Sequence, residues 1–465
     1  MRLGVLAWFS ATLACTPASI VLPLPDSAGG SGDGSAGPDS DSDGDGDGPG
    51  GCAIDRALWI DNVAGDNANP GTEASPLADL DAALAAGGTC TVIHVVATDE
   101  GYSGACIQRD AVAIVGVGGR PHFDAPVVCD DRLAGLFVRA DDVRLEHLTV
   151  DVSGAPGVLA RAVVFSGVPD APIRGGLALD LEAIGPGPAD DGRALVSASL
   201  CFDCAVQRSV VRGAEGAGIG FDNHQDDAAI LDNVVDGAGG GCIVVNGEPS
   251  EAIAGDAVID GVSSRVSVER NIVRDCGAQT PSIHLASAVD GTVVDNVIGA
   301  SEPGGILLDD DGLGDGAFGS RDTLLAHNTI DCSACTDPAV RILAGSTGVR
   351  MVDTIVTGLG AAVLLDASTH DSVAIDHDAY APGMTFVDAG DTLGFTLWQA
   401  RGFDGGSILA AAADLFVDLD GGDVHLRDGA PAIDAGVDAG VALDADGAPR
   451  WQGAAPDLGA YERAP

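Results

Sequence analysis

Four short stretches carry the side chains best suited to chemistry. His284 sits inside Ile283-His284-Leu285, Arg341 inside Val340-Arg341-Ile342, Asp222 follows Ile219-Gly220-Phe221, and Asp309-Asp310-Asp311 follows Ile306-Leu307-Leu308. His284 or Arg341 could act as a general base. Consecutive carboxylates offer oxygen ligands to Ca²⁺, which makes Asp309, Asp310 and Asp311 a candidate calcium site. Two carboxylates facing one glycosidic bond at about 5 to 9.5 Å can hydrolyse it, and Asp222, Asp309 and Asp310 are the nearest candidates. Against these readings, Asp and Gly at strand ends are turn formers, and an outward His or Arg is ordinarily solvated.

These residues are far apart in sequence, so they act together only if the fold brings them into register. Six related statements supply that possibility, each a polar residue with two mostly β-branched residues, a turn, and an alternating strand. They begin at Ser209, Asn233, Asn271, Asn296, Asn328 and Asp353, at steps of 24, 38, 25, 32 and 25 residues. The distance to the next strand (Ile219, Ile243, Ile283, Ile306, Val340, Val363) stays at 10 or 12 while the period varies. One half of the repeat is therefore constant and the other takes insertions, as in a solenoid.

In each closing strand the first and third residues are large and apolar, so they face inward and the middle one faces out. A period near 24 is too short for helix-pair repeats, and the Gly, Val, Ile and Asn content opposes helix. Stacked parallel strands follow. Outward residues then align in columns about 4.8 Å apart per coil. One column runs Gly220, Val244, His284, Leu307, Arg341, Leu364, and the next Asp222, Asn246, Ala286, Asp309, Leu343, Asp366. The expectation is that His284 and Asp309 lie on adjacent coils, with Arg341 two spacings from His284.

This pattern resembles the right-handed parallel β-helix of pectate-lyase-like proteins, whose turns often stack asparagines as Asn233, Asn271, Asn296 and Asn328 do here. Ser209 and Asp353 depart from that habit and should weaken the ladder. The resemblance implies an all-β fold, a single-stranded right-handed parallel β-helix solenoid with an N-terminal helical cap. In that family a carboxylate cluster binds Ca²⁺ and an Arg or Lys takes the α-proton of a uronate. Lacking Lys, this chain would use Arg341 or His284.

The net charge of −48, with every one of the 22 basic residues an Arg, repels nucleic acid and anionic membrane. The same charge disfavours a polyuronate unless a cation bridges it, and equally serves solubility. Setting Cys15 aside leaves ten cysteines, an even number suited to disulfides in an oxidising compartment. Cys201-Phe-Asp-Cys204 and Cys332-Ser-Ala-Cys335 are spaced either for local bridges or for a Cys₄ zinc site.

Residues 1–15 read as a secretory signal, and Thr12-Leu13-Ala14-Cys15 resembles a bacterial lipoprotein signal in which Cys15 is lipidated. Residues 16–51 form an acidic Gly/Ser/Asp linker. Asp39, Asp41, Asp43 and Gly44 look like an EF-hand start, but the twelfth position is Gly50 in place of Glu. Residues 52–465 are the β-helix domain: a strand and helical cap over 52–90, coils over 91–380, and C-terminal coils with a tail over 381–465. Proline-rich 154–191 is expected to be irregular, and Trp59 with Asp61 to pack in preference to binding sugar. The tail motifs, Gly429–Gly436, Asp444–Arg450 and Pro456–Glu462, resemble surface proteins labelled choice-of-anchor Q. The combined reading is an exported, monomeric surface protein, tied to the membrane only by lipid, that binds glycan or extracellular matrix without catalysis. The alternative is a polysaccharide lyase or glycoside hydrolase using Asp222, His284, Asp309 and Arg341.

Overall fold

A computed structural model describes residues 54–464 except 156–159, 190–192, 248–260, 278–279, 300–302 and 311–318. The described residues fall in one compact unit, Gly46–Pro465. Three long sheets of 12, 12 and 13 strands run along it, and each coil contributes one strand to each sheet. For example, Ala229–Leu231 enters the first sheet, Val234–Ala238 the second and Ile243–Asn246 the third, before Ser267–Glu269 returns to the first. Neighbouring coils pair in parallel without slippage, Ile219 on Ile243, Ile243 on Ile283 and Ile283 on Ile306. The chain is thus a parallel β-helix. Its interior is one continuous aliphatic column in which Ile243 and Ile283 are fully buried and Ile306 nearly so. Each such side chain contributes roughly 1.5–3 kcal/mol by leaving water.

The corner between the first and second sheets holds the asparagine ladder. Asn233 Oδ1 accepts from the Ser209 amide, Asn271 Oδ1 from Asn233, Asn296 Oδ1 from Asn271 and Asn328 Oδ1 from Asn296, at 2.9–3.1 Å. Each Asn amide group also donates to a carbonyl inside, as Asn271 Nδ2 does to Ile230 O at 2.8 Å. These bonds satisfy backbone groups that a bend would otherwise strand in a dry interior. Ser209 continues the ladder with its hydroxyl, which accepts from Leu181 N at 3.1 Å. Asp353 is not in this column. Thr329 pairs with Ile355, so Thr354 stands next to Asn328, and Asp353 occupies the preceding left-handed position with φ +56°, matching Asp295 and His327. Counting from the apolar pair was one residue off because DTI and NTI look alike.

The helix Leu80–Ala86 follows the first strand, Arg56–Ile60. Asp79 caps it by accepting from Ala82 N at 2.8 Å, and Leu80 and Ala83 are its buried residues. Trp59 packs at a tilt against His94 and Asp61 accepts from the Val63 and Ala64 amides, which are packing and turn roles. Within the proline-rich 154–191, the described residues 160–189 are more regular than their prolines suggest. Arg161–Ser166, Leu177–Leu179 and Glu182–Ile184 each join a long sheet, so a full coil forms. Pro169, Pro172, Pro186 and Pro188 fall between strands, where no ladder amide is needed. The far end is closed by an antiparallel hairpin, Thr385–Asp388 with Asp391–Gly394, and by the helix Phe395–Ala400, whose Trp398 is fully buried.

Both CxxC pairs are disulfides, as are Cys106–Cys129 and Cys242–Cys276. That chemistry belongs to an oxidising, exported setting. Cys15, the signal and the linker lie outside the described residues.

Candidate functional site

The outer face of the third sheet carries the candidate residues in the expected columns. Gly220, Val244, His284, Leu307, Arg341 and Leu364 pair in succession. Asp222, Asn246, Ala286 and Asp309 do the same beside them.

His284 and Asp309 meet. Since His284 pairs with Leu307 and Ala286 with Asp309, the two are diagonal neighbours on adjacent coils, within reach of long side chains. His284 Nε2 lies 2.7 Å from Asp309 Oδ1, and each side chain is 17% exposed. The carboxylate fixes the ring, and when Nε2 carries the shared proton Nδ1 is left to accept another.

Arg341 does not join them. It stands two coils from His284, about 10 Å away along the stack, and donates from Nη1 to Asp337 Oδ2 at 2.7 Å. A guanidinium committed to a carboxylate is a poor proton acceptor. The sequence misses this partner because Asp337 lies in the turn before the strand.

Asp222 and Asp309 are three rungs apart, about 14 Å along the stack. That exceeds the reach of a glycosidase pair. Asp309 is taken up by His284, Asp310 is half-buried beside it, and Asp311 lies outside the described residues. Among the described residues, no cluster of three or more His, Cys, Asp or Glu is arranged to hold a metal ion.

Asp222 and His284 instead line one groove of about 230 Å³, together with Gly220, Val244, Gly241 and Thr280. A Cβ on Gly220 would come within 2.6 Å of the Ala194 Cβ, so the groove floor here is bare backbone. Burial pushes the Asp222 carboxyl up, against the opposing pull of Arg161 and Arg132. These arginines belong to the preceding coils. Arg132 Nη1 donates to Ser166 Oγ at 2.8 Å and Arg161 Nη1 to Ser197 Oγ at 3.4 Å. Sequence columns begun at Ser209 did not reach them, although Ser166, Ser199 and Asp222 are successive rungs.

No protein-family model matches the chain, and no curated protein matches it in sequence. Solved structures do match. Pectate lyase Pel9A superposes with a TM-score of 0.52 at 13% identity, over 88% of this chain and 97% of that one. The GH136 lacto-N-biosidase from Eubacterium ramulus, as its selenomethionine derivative, gives 0.50 at 12%, over 76% and 67%. A glycoside hydrolase gives 0.50 at 10%, over 81% and 100%. In backbone architecture, this chain is a parallel β-helix similar to that of pectate lyase Pel9A.

Proposed function

We propose that the protein cleaves an acidic polysaccharide by elimination in the groove on its third sheet, with His284 as base. The supporting observation is the His284–Asp309 hydrogen bond at the edge of that groove. The imidazole takes the proton α to a uronate carboxylate, the electron pair becomes a C=C bond, and the glycosidic C–O bond β to the carboxylate breaks. The departing oxygen takes its proton from solvent. Proton abstraction fits this pair better than hydrolysis does, given the spacing of Asp222 and Asp309. Arg132 and Arg161 at the Asp222 end offer local positive charge to an acidic chain despite the protein's overall charge. Fold alone does not deliver function, so these side chains carry the reading.

The test is a screen of uronate and neutral polysaccharides, with and without Ca²⁺, read by absorbance of the unsaturated product. Turnover lost in His284→Ala supports elimination. Saturable binding without turnover on any glycan overturns it and returns the protein to a surface adhesin. We propose further that Cys15 carries a lipid that tethers the exported chain. Acyl label persisting in Cys15→Ser would defeat this.

A further inference from the structure

The Cys242–Cys276 disulfide sits directly behind the groove. Cys242 is fully buried and immediately follows Gly240 and Gly241, which line the groove; Thr280, on the same wall, comes four residues after Cys276. The bridge joins two successive coils, those of Ile243–Asn246 and Ile283–Ala286, the second of which presents His284. It spans 34 residues of the coil with the longest step, 38 residues from Asn233 to Asn271. The two rim arcs are packed backbone against backbone. Gly277 N donates to Gly240 O at 2.8 Å, and a Cβ on Gly277 would lie 1.6 Å from Gly239 O. Ladder pairing holds Ala238 on Cys276 and Ile243 on Ile283, and between those rungs the bridge adds a covalent tie to the backbone contact of Gly240 with Gly277.

We propose that Cys242 and Cys276 are positioning residues for the groove, and that opening their disulfide loosens the rim and weakens glycan binding while the stacked coils persist. The exchange is a two-electron reduction: a dithiol reductant becomes its cyclic disulfide, and Cys242 and Cys276 become two thiols. The location of the groove is taken from the structure; its glycan occupant rests on the function proposed above.

The experiment compares Cys242→Ser/Cys276→Ser with Cys332→Ser/Cys335→Ser in the full chain. The second bridge closes a separation of 3 residues at the end of the second-sheet strand Thr329–Cys332, away from the groove. Two readouts are used. With a cleaved glycan, the groove variant should raise KM at least tenfold with kcat within about twofold of wild type, and the control should leave both alone. By amide hydrogen exchange, which needs no ligand, Val244 and Thr280 should exchange at least tenfold faster in the groove variant, with Ile219 and Ile306 unchanged. Unchanged rim exchange, or the same change in the control, overturns the proposal. Faster rim exchange with no turnover on any glycan supports the positioning role and sinks the lyase reading alone. Should the serine variant not fold, dithiol reduction of the wild-type chain, followed by mass spectrometry, gives the same exchange comparison.

Discussion

His284 and Asp309 are 25 residues apart in sequence, and His284 Nε2 stands 2.7 Å from Asp309 Oδ1 because one coil of the β-helix lies between them. A pair joined only by coil stacking depends on register, since a slip of one residue would turn either side chain inward. The fold and the proposed chemistry therefore stand or fall on the same hydrogen-bond ladder.

Removing the orienting carboxylate tests this pair. Asp309→Asn keeps the shape but no longer stabilises the imidazolium, and turnover should fall about 10²–10⁴-fold, as for loss of general-base function. The melting temperature should move little, because both groups are partly exposed. Steady-state kinetics with calorimetry checks both. A large fall in melting temperature with proportionate loss of activity would mean the pair is structural.

Ladder residues should behave in the opposite way. Asn296 Oδ1 accepts from both Asn271 N and Nδ2, while Asn296 Nδ2 donates to Val268 O and Asn328 Oδ1. Asn296→Ala strands several buried groups, each costing about 1–3 kcal/mol. Denaturant unfolding should report a loss of several kcal/mol, and Ser209→Ala a smaller one.

Arg450 reaches back from the tail to Asp295, and both side chains are fully buried. Arg450→Met leaves a carboxylate without its partner, and destabilisation of about 3–5 kcal/mol is expected. Arg450→Met/Asp295→Asn should recover much of it. Thermal unfolding of the four cycle members measures the coupling.

His327 and Asp353 give opposing pH dependences. Burial raises the Asp353 carboxyl to about 7, so its contribution to stability is full below about pH 4 and is lost as pH rises through 7. Burial holds the His327 imidazole well below its usual value, so its contribution is full above about pH 6.5 and is lost on acidification. Below pH 6.5 the two slopes have opposite sign, and the raised carboxyls of Asp295, Asp378 and Asp404 add to that of Asp353. Relative to the parent, His327→Gln should lose more stability as pH rises from 5 to 6.5, and Asp353→Asn should lose less as pH rises from 4 to 7. Melting curves across that range read both signs.

The third-sheet columns were legible because alternation fixes which side chains face out, and a constant strand spacing fixes their neighbours. His284 beside Asp309 followed from that arithmetic alone. Arg341 falls two rungs from His284 as the columns predict, but its bond to Asp337 was not legible, because that partner sits in a turn, where periodicity says nothing. Asp353 was misassigned because two adjacent polar residues precede the apolar pair, and only backbone conformation tells the left-handed residue from the ladder residue. The proline-rich coil and the closing hairpin around Trp398 were missed for a related reason: their strands are short, and tertiary pairing creates the order. Arg132 and Arg161 lie on coils that precede the first clear repeat at Ser209, where the sequence period is weak.

The longest step between ladder residues, from Asn233 to Asn271, places its extra length between Asn246, at the end of a groove strand, and Ser263. Winding resumes there as if nothing had been added, with Ala229 stacked on Ser267. The length of a winding and the pitch of the spring are therefore set by different residues, and one can lengthen while the other stays fixed.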